Sequence, residues 1–213
     1  MVAKQKNVLT EIGYARVEKV FTPSELAAID VASLRLIQKW QAGFRHPDFW
    51  SWPCTKGNHV LTRIHNFERK TTTARALLES TPFCNLLARV FPEGAHATAC
   101  ALVIKMPGQG LPVPLHRDPI SAPLCKVYNF GIYLDSSTER NGCLYAVPRS
   151  HIDRGINATG NDRPLEAMPI HASPGDVIIH EVSVLHGSGP NPTATIRRAM
   201  VVEFQAFSVS VNA

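Results

Sequence analysis

The chain has 213 residues, 45% of them hydrophobic and 18% charged, with a mean hydropathy of −0.05, so it can bury one sizeable core and is neither a disordered polar chain nor a carrier of the long apolar run that a membrane helix needs. The formal net charge of +5 is uneven: residues 1–91 carry 13 Lys/Arg against 7 Asp/Glu, and residues 92–213 carry 9 against 10. The basic residues are dispersed and form no recognisable binding module, which argues against nucleic acid and leaves a solvated surface or one facing an anionic substrate.

The first segment, MVAKQKNVLTEIGY, has no apolar stretch followed by a cleavage site, so a cytoplasmic protein is expected. Thr22-Pro23-Ser24-Glu25 offers an N-cap, a proline at the first helical position and a capping-box glutamate. Leu26, Ile29, Leu34, Ile37 and Trp40 then recur at near-helical spacing, and this helix should stop by Gly43. Residues 43–60, rich in aromatics and turn formers, read as a loop. A second helical patch is expected over about 73–91, interrupted at Pro82. From about residue 97 short β-branched runs alternate with Pro, Gly and Asn, at 98–106, 126–135, 143–148, 164–170, 175–180, 183–188 and 197–209. One domain is expected, mainly β with flanking helices: a helical N-terminal third (about 1–95) packed on a double-stranded β-helix, or cupin-like jelly roll (about 96–210). The five cysteines (Cys54, Cys84, Cys100, Cys125, Cys143) contain no CxxC and should be reduced and buried.

Nine histidines invite a metal hypothesis. An iron(II) oxygenase site needs two imidazoles and one carboxylate on one face of the ion, leaving the other positions open. His-x-Asp supplies two of the three, and it occurs three times, at His46-Pro47-Asp48, His116-Arg117-Asp118 and His151-Ile152-Asp153. The first lies in the irregular segment after the first helix, and the third leaves too few residues before His186 for the strands that should separate the ligands. The second follows a strong strand, where a period of two sends His116 and Asp118 to the same face. Of His171, His180 and His186, the last stands out for Ser188 two positions on and Arg197 eleven positions on. His180 reads as a neighbour of the site that does not ligate. A 2-oxoglutarate chelated to iron keeps its far carboxylate buried and negative, and a permanently charged fork such as Arg197 with a hydroxyl such as Ser188 would answer it. Arg198 must then point the other way.

These residues resemble the phytanoyl-CoA dioxygenase-like family of iron(II)/2-oxoglutarate oxygenases. His116-Arg117-Asp118, the run Asn141 to His151 (NGCLYAVPRSH), Gly175-Asp176-Val177, and His186-Gly187-Ser188-Gly189-Pro190-Asn191 with Arg197 are similar to its motifs in the same order, and GYARVEKVFTPSEL is similar to its opening strand and helix. The resemblance implies iron ligands at His116, Asp118 and His186, and 2-oxoglutarate held by Arg197 and Ser188, with Arg63, on a short strand over Thr62 to Phe67, as a further basic residue directed to the co-substrate. It implies oxidation by dioxygen with release of succinate and CO2, hydroxylation by default. Chlorination is disfavoured because Asp118 fills the position that halide would need. Arg149 stands where the family has glycine, which puts the turn there in question.

Alternation over 126–135 puts Asn129, Gly131 and Tyr133 on one face and Tyr128, Phe130 and Ile132 on the other; the first set either lines a substrate pocket or is barrel core. Trp40, Phe44, Phe49, Trp50 and Trp52 form either an aromatic lid or ordinary packing. The expected partner is a small molecule, possibly anionic. The competing reading is a metal-containing jelly-roll binder or isomerase without 2-oxoglutarate, from which Arg197 with Ser188 is the distinguishing feature.

Overall fold

The structure, a computed structural model, describes residues 8–54, 58–108, 110–119, 125–153 and 166–207. Eleven strands are seen among them: β1 (Tyr14–Val17), β2 (Phe49–Pro53), β3 (His59–His65), β4 (Ala95–Lys105), β5 (Val113–His116), β6 (Val127–Tyr133), β7 (Leu144–Ala146), β8 (Met168–Ile170), β9 (Val177–Glu181), β10 (His186–Ser188) and β11 (Arg197–Ala206). They form a seven-stranded sheet in the order β1-β9-β6-β11-β4-β3-β2 and a four-stranded sheet in the order β5-β10-β7-β8, with antiparallel pairing throughout. This is the expected jelly roll. Residues 164, 165, 208 and 209 of the expected strands lie outside the described residues.

Helix α1 (Pro23–Gln41) begins where the capping box places it: Glu25 N donates to Thr22 Oγ1 and Thr22 N donates to Glu25 Oε2. Its buried stripe is Leu26, Ile29, Ser33, Ile37 and Trp40, and Gly43 follows with φ of 99°. Three shorter helices follow β3: α2 (Phe67–Lys70), α3 (Thr72–Leu78) and α4 (Thr81–Val90). The helices cover the outer face of the larger sheet. On β6, Phe130 and Ile132 pack there with Phe83, Phe91 and Phe204, while Tyr133 faces the smaller sheet together with Ile178, Ala199 and Ala146. Being covered on both faces explains why β6 is buried at every position.

Three expectations are corrected. Residues 49–53 and 59–60, within the expected loop, are strand: they belong to a β2–β3 hairpin with a bulge at Trp50/Ser51, so the first third of the chain adds edge strands as well as helices. Pro82 does not interrupt a helix; it sits in the first turn of α4, where the missing N–H costs nothing, and the break falls at Glu79-Ser80. The cysteines are free, as expected, but only Cys100 and Cys143 are buried, and Cys84 is exposed. The turn at Arg149 also forms despite the missing glycine, with the arginine itself at φ of 65°.

Candidate functional site

All nine candidate residues, His116, Asp118, His186, Arg197, Ser188, Arg63, Asn129, Gly131 and Tyr133, line one cavity of about 130 Å³ between the two sheets. Strand pairing brings the distant ones together. His116 at the end of β5 is the direct antiparallel partner of His186 at the start of β10, and their rings lie 4.5 Å apart. Gly187 makes this approach possible: a β-carbon there would stand 2.6 Å from the Val113 carbonyl oxygen. Asp118 is anchored by its own N–H on the Val182 carbonyl, while Arg117, between the two candidate ligands, turns away to donate to the carbonyls of Ser150 and Ser183.

Both imidazoles are oriented from behind. His116 Nδ1 lies 2.9 Å from the Pro114 carbonyl oxygen and His186 Nδ1 lies 2.9 Å from that of Val184. A carbonyl only accepts, so each Nδ1 carries a proton and each Nε2 is turned inward, donating toward Asp118 when the ring is charged and presenting its lone pair when the ring is neutral. The two Nε2 atoms stand 3.5 Å and 3.6 Å from the Asp118 carboxylate oxygens. Ligand atoms from these three residues all lie within 4.8 Å of one another, and no other group of His, Cys, Asp or Glu among the described residues meets that condition.

The electrostatics suit a cation. Burial alone would raise the Asp118 carboxyl, but the His116 hydrogen bond and the surrounding imidazoles outweigh it and bring it to about 2. Burial pushes His186 below the ordinary imidazole value, whereas the Asp118 hydrogen bond raises His116. His180 also lines the cavity, its Nε2 4.0 Å from Asp118, and burial drives it down to about 3. Asn129 Nδ2 donates to Asp118 Oδ2 at 2.8 Å and lies 3.3 Å from His180 Nε2, so it fixes the carboxylate and leaves Oδ1 open.

Arg197 is 3% exposed at the other end of the cavity and forms no ion pair among the described residues. Its Nε donates to Ser137 Oγ and its Nη2 to the Tyr133 hydroxyl, both at 3.3 Å, with the guanidinium over the Tyr133 ring. Neutral partners leave a buried positive charge uncompensated, a costly state unless an anion joins it. Tyr133 therefore faces the arginine end of the pocket rather than standing beside Asn129. Ser137 escapes sequence reasoning, since nothing in SSTERNG marks it; only the pairing of Ser137 with Ala172 brings it to Arg197.

The other two His-x-Asp pairs lie elsewhere. Asp48 is engaged by Lys70 and Asn66 below the start of β2, and His151 Nε2 contacts the Thr10 carbonyl. His171 pairs with Glu139. Of the five lid candidates, Trp40 and Phe49 are core, and Phe44, Trp50 and Trp52 are exposed.

A family model described as phytanoyl-CoA dioxygenase (PhyH) matches residues 9–199. The chain is similar to a probable alpha-ketoglutarate-dependent hypophosphite dioxygenase of Stutzerimonas stutzeri, at 26% identity over 97% of this chain and 79% of the relative; alpha-ketoglutarate is 2-oxoglutarate. The crystal structure of AviO1 from Streptomyces viridochromogenes Tue57 superposes with a TM-score of 0.83 at 32% identity, covering 98% of this chain and 96% of that one. At 18% identity the same fold is held by SnoN, a non-heme alpha ketoglutarate dependent epimerase from nogalamycin biosynthesis, with a TM-score of 0.77 over 96% of this chain and 83% of that one. Among the described residues no helix is long and apolar enough to cross a membrane.

Proposed function

The chain belongs to the phytanoyl-CoA dioxygenase family, and from that premise we propose that it is an iron(II)- and 2-oxoglutarate-dependent oxygenase that hydroxylates an unactivated C–H bond of a small organic molecule. The observation that carries this reading is the convergence of ligand atoms from two imidazoles and one carboxylate within 4.8 Å, with a buried guanidinium in the same cavity that forms no ion pair among the described residues.

The donor set fits iron(II). Two nitrogens and one oxygen, lone pairs inward and Nδ1 protons tied to backbone carbonyls, match the facial arrangement this ion favours, and Asp118 excludes the halide-binding variant. When bound, iron supplies the redox chemistry that couples decarboxylation of 2-oxoglutarate by dioxygen, giving succinate and CO2, to oxidation of the substrate. His116, Asp118 and His186 hold the ion. Asn129 keeps the Asp118 carboxylate from rotating by occupying Oδ2. Arg197 takes the far carboxylate of 2-oxoglutarate in a charge-assisted bond, with Ser188 adding a hydroxyl and with Tyr133 and Ser137 fixing the plane of the guanidinium. Gly131 leaves space on the floor: a β-carbon there would project into the cavity with no contact closer than 3.5 Å. Val103, Ala199 and Val201 give the cavity apolar walls that keep bulk water from the reacting atoms.

The test is turnover without added substrate. Purified protein with iron(II), 2-oxoglutarate and air should release succinate slowly, and the rate should rise when a true substrate is added. Succinate formation that requires neither iron nor His116 would overturn the assignment.

A further inference from the structure

A second, larger cavity of about 500 Å³ adjoins the first and shares Arg63, Val103 and Val113 with it. The sheet register explains the junction. Trp50 on β2 pairs with Arg63 on β3, Arg63 with Val103 on β4, Val103 with Ala199 on β11, and Ala199 with Tyr133 on β6. Paired residues put their side chains on the same face, so this row is a continuous floor running from the edge of the sheet to the Arg197 pocket.

Three features of that floor identify what it takes. First, Trp50 and Trp52 line the larger cavity and are 52% and 60% exposed, a costly display of indole unless something covers it. Trp50 is braced from behind by the His65 ring at 4.2 Å, so it offers a fixed flat face. Second, Arg63 stands between the cavities with an exposed side chain and no hydrogen bond or ion pair among the described residues. Its guanidinium feels the Asp118 charge, but with iron 2+, Asp118 1−, 2-oxoglutarate 2− and Arg197 1+ the inner cavity is balanced without it, and the positive charge of Arg63 is left for an anion in the outer cleft. Lys105 also lines the cleft, but its Nζ is spent on the Leu111 carbonyl. Third, the inner cavity of about 130 Å³ is roughly a quarter the size of the outer one of about 500 Å³ and has the co-substrate to accommodate, so a large second molecule fits the outer one better. The outer one is of the size that ordinary small-molecule ligands occupy.

We infer that the outer cleft is the substrate site and that the substrate is a ring-bearing organic anion, its flat face on Trp50 and Trp52, its acidic group on Arg63, and the carbon to be oxidised passing between Val103 and Val113 toward the metal. This rests on the oxygenase reading above. It makes the substrate class quite different from hypophosphite, the compound in the name of one relative, which needs no aromatic cleft.

The test uses 2-naphthoate and its neutral isostere 2-naphthamide, titrated calorimetrically into the full chain. Wild type should bind naphthoate at least tenfold more tightly than naphthamide. Arg63→Gln should erase that preference while leaving naphthamide binding within about twofold, and Trp50→Ala/Trp52→Ala should weaken both probes at least fivefold, with circular dichroism showing each variant folded. Equal binding of the two probes by wild type, unchanged binding by either variant, or displacement of naphthoate by 2-oxoglutarate would overturn the proposal. So would succinate release stimulated by hypophosphite alone. Iron(II) and 2-oxoglutarate binding, measured on the same samples, separates the two readings: its failure with the naphthoate pattern intact removes the oxygenase and keeps the cleft, and the converse removes only the cleft.

Discussion

Arg197 and Arg198 are adjacent on β11 and equally buried, yet they point to opposite faces of the sheet and meet opposite electrostatics. Arg197 enters the inner cavity, where among the described residues its guanidinium hydrogen-bonds to the hydroxyls of Ser137 and Tyr133 and forms no ion pair, whereas Arg198 reaches the helix face and is clasped by Asp135 and by Asp30 and Ser33 of α1. Replacing Arg197 should cost binding rather than stability. Arg197→Ala is expected to raise the KM for 2-oxoglutarate by about 30- to 800-fold, the equivalent of ~2–4 kcal/mol for a buried charge-assisted contact, with little loss of melting temperature. Steady-state succinate formation and thermal denaturation check the two halves.

Arg198→Ala should do the reverse. It strips the compensating charge from two carboxylates at the α1–β11 contact, for which a loss of about 2–4 kcal/mol is expected after allowing for the partial exposure of Asp30 and Asp135. Urea denaturation should show it, while the KM for 2-oxoglutarate in the folded fraction stays near wild type.

Lys105 gives a pH dependence with a definite sign. It is the direct strand partner of Arg197 and is 3% exposed; burial, reinforced by the Arg197 charge, lowers it from 10.5 to about 7. Between those values the unfolded chain binds a proton that the folded chain does not. The penalty is absent above about pH 10.5, grows as pH falls, and is complete below about 7. Relative to Lys105→Met, wild type should therefore gain stability by a few kcal/mol between pH 7 and pH 10. Paired urea melts at the two pH values check it, and a constant difference would contradict the burial argument.

Backbone strain supplies a further pair. Arg149 holds φ of 65°, a conformation that costs an L-residue roughly 1–2 kcal/mol, partly offset in glycine by the greater freedom of its unfolded chain. Arg149→Gly should stabilise the fold by about 0.5–1 kcal/mol. Gly142, at φ of 82°, is the opposite case: a β-carbon would lie 2.5 Å from the Gly189 carbonyl oxygen, so Gly142→Ala should cost about 2 kcal/mol or more. Differential scanning calorimetry of both variants checks the pair.

The parts of this fold written in local pattern could be read from the sequence. The capping box at Thr22 and Glu25 marks α1, and the period-two runs mark most strands, because both signals act within a few residues. Strand β2 and the start of β3 are not legible locally, since Pro47, Pro53 and Gly57 look like loop; β2 is held extended by its pairing with β3, and β3 by its pairing with β4. Pro82 is ambiguous for a related reason: the same residue breaks a helix interior or starts a new helix, and here the backbone is already extended at Ser80 (φ −69°, ψ 148°), so Pro82 falls in the first turn of the next helix. At the site, chemistry pointed to His116, Asp118, His186 and Arg197, whose residue types are demanding. Ser137 and the tie between Asn129 and Asp118 depend on register between distant strands, which no local pattern encodes.

The most direct measurement is anaerobic titration of the protein with iron(II) and 2-oxoglutarate, followed by the weak visible charge-transfer absorption of the chelated complex. Wild type and His151→Ala should develop the band with one iron per chain, and His116→Ala, Asp118→Ala and His186→Ala should not. A band that survives in those three variants, or that disappears with His151→Ala, would contradict the three-residue centre.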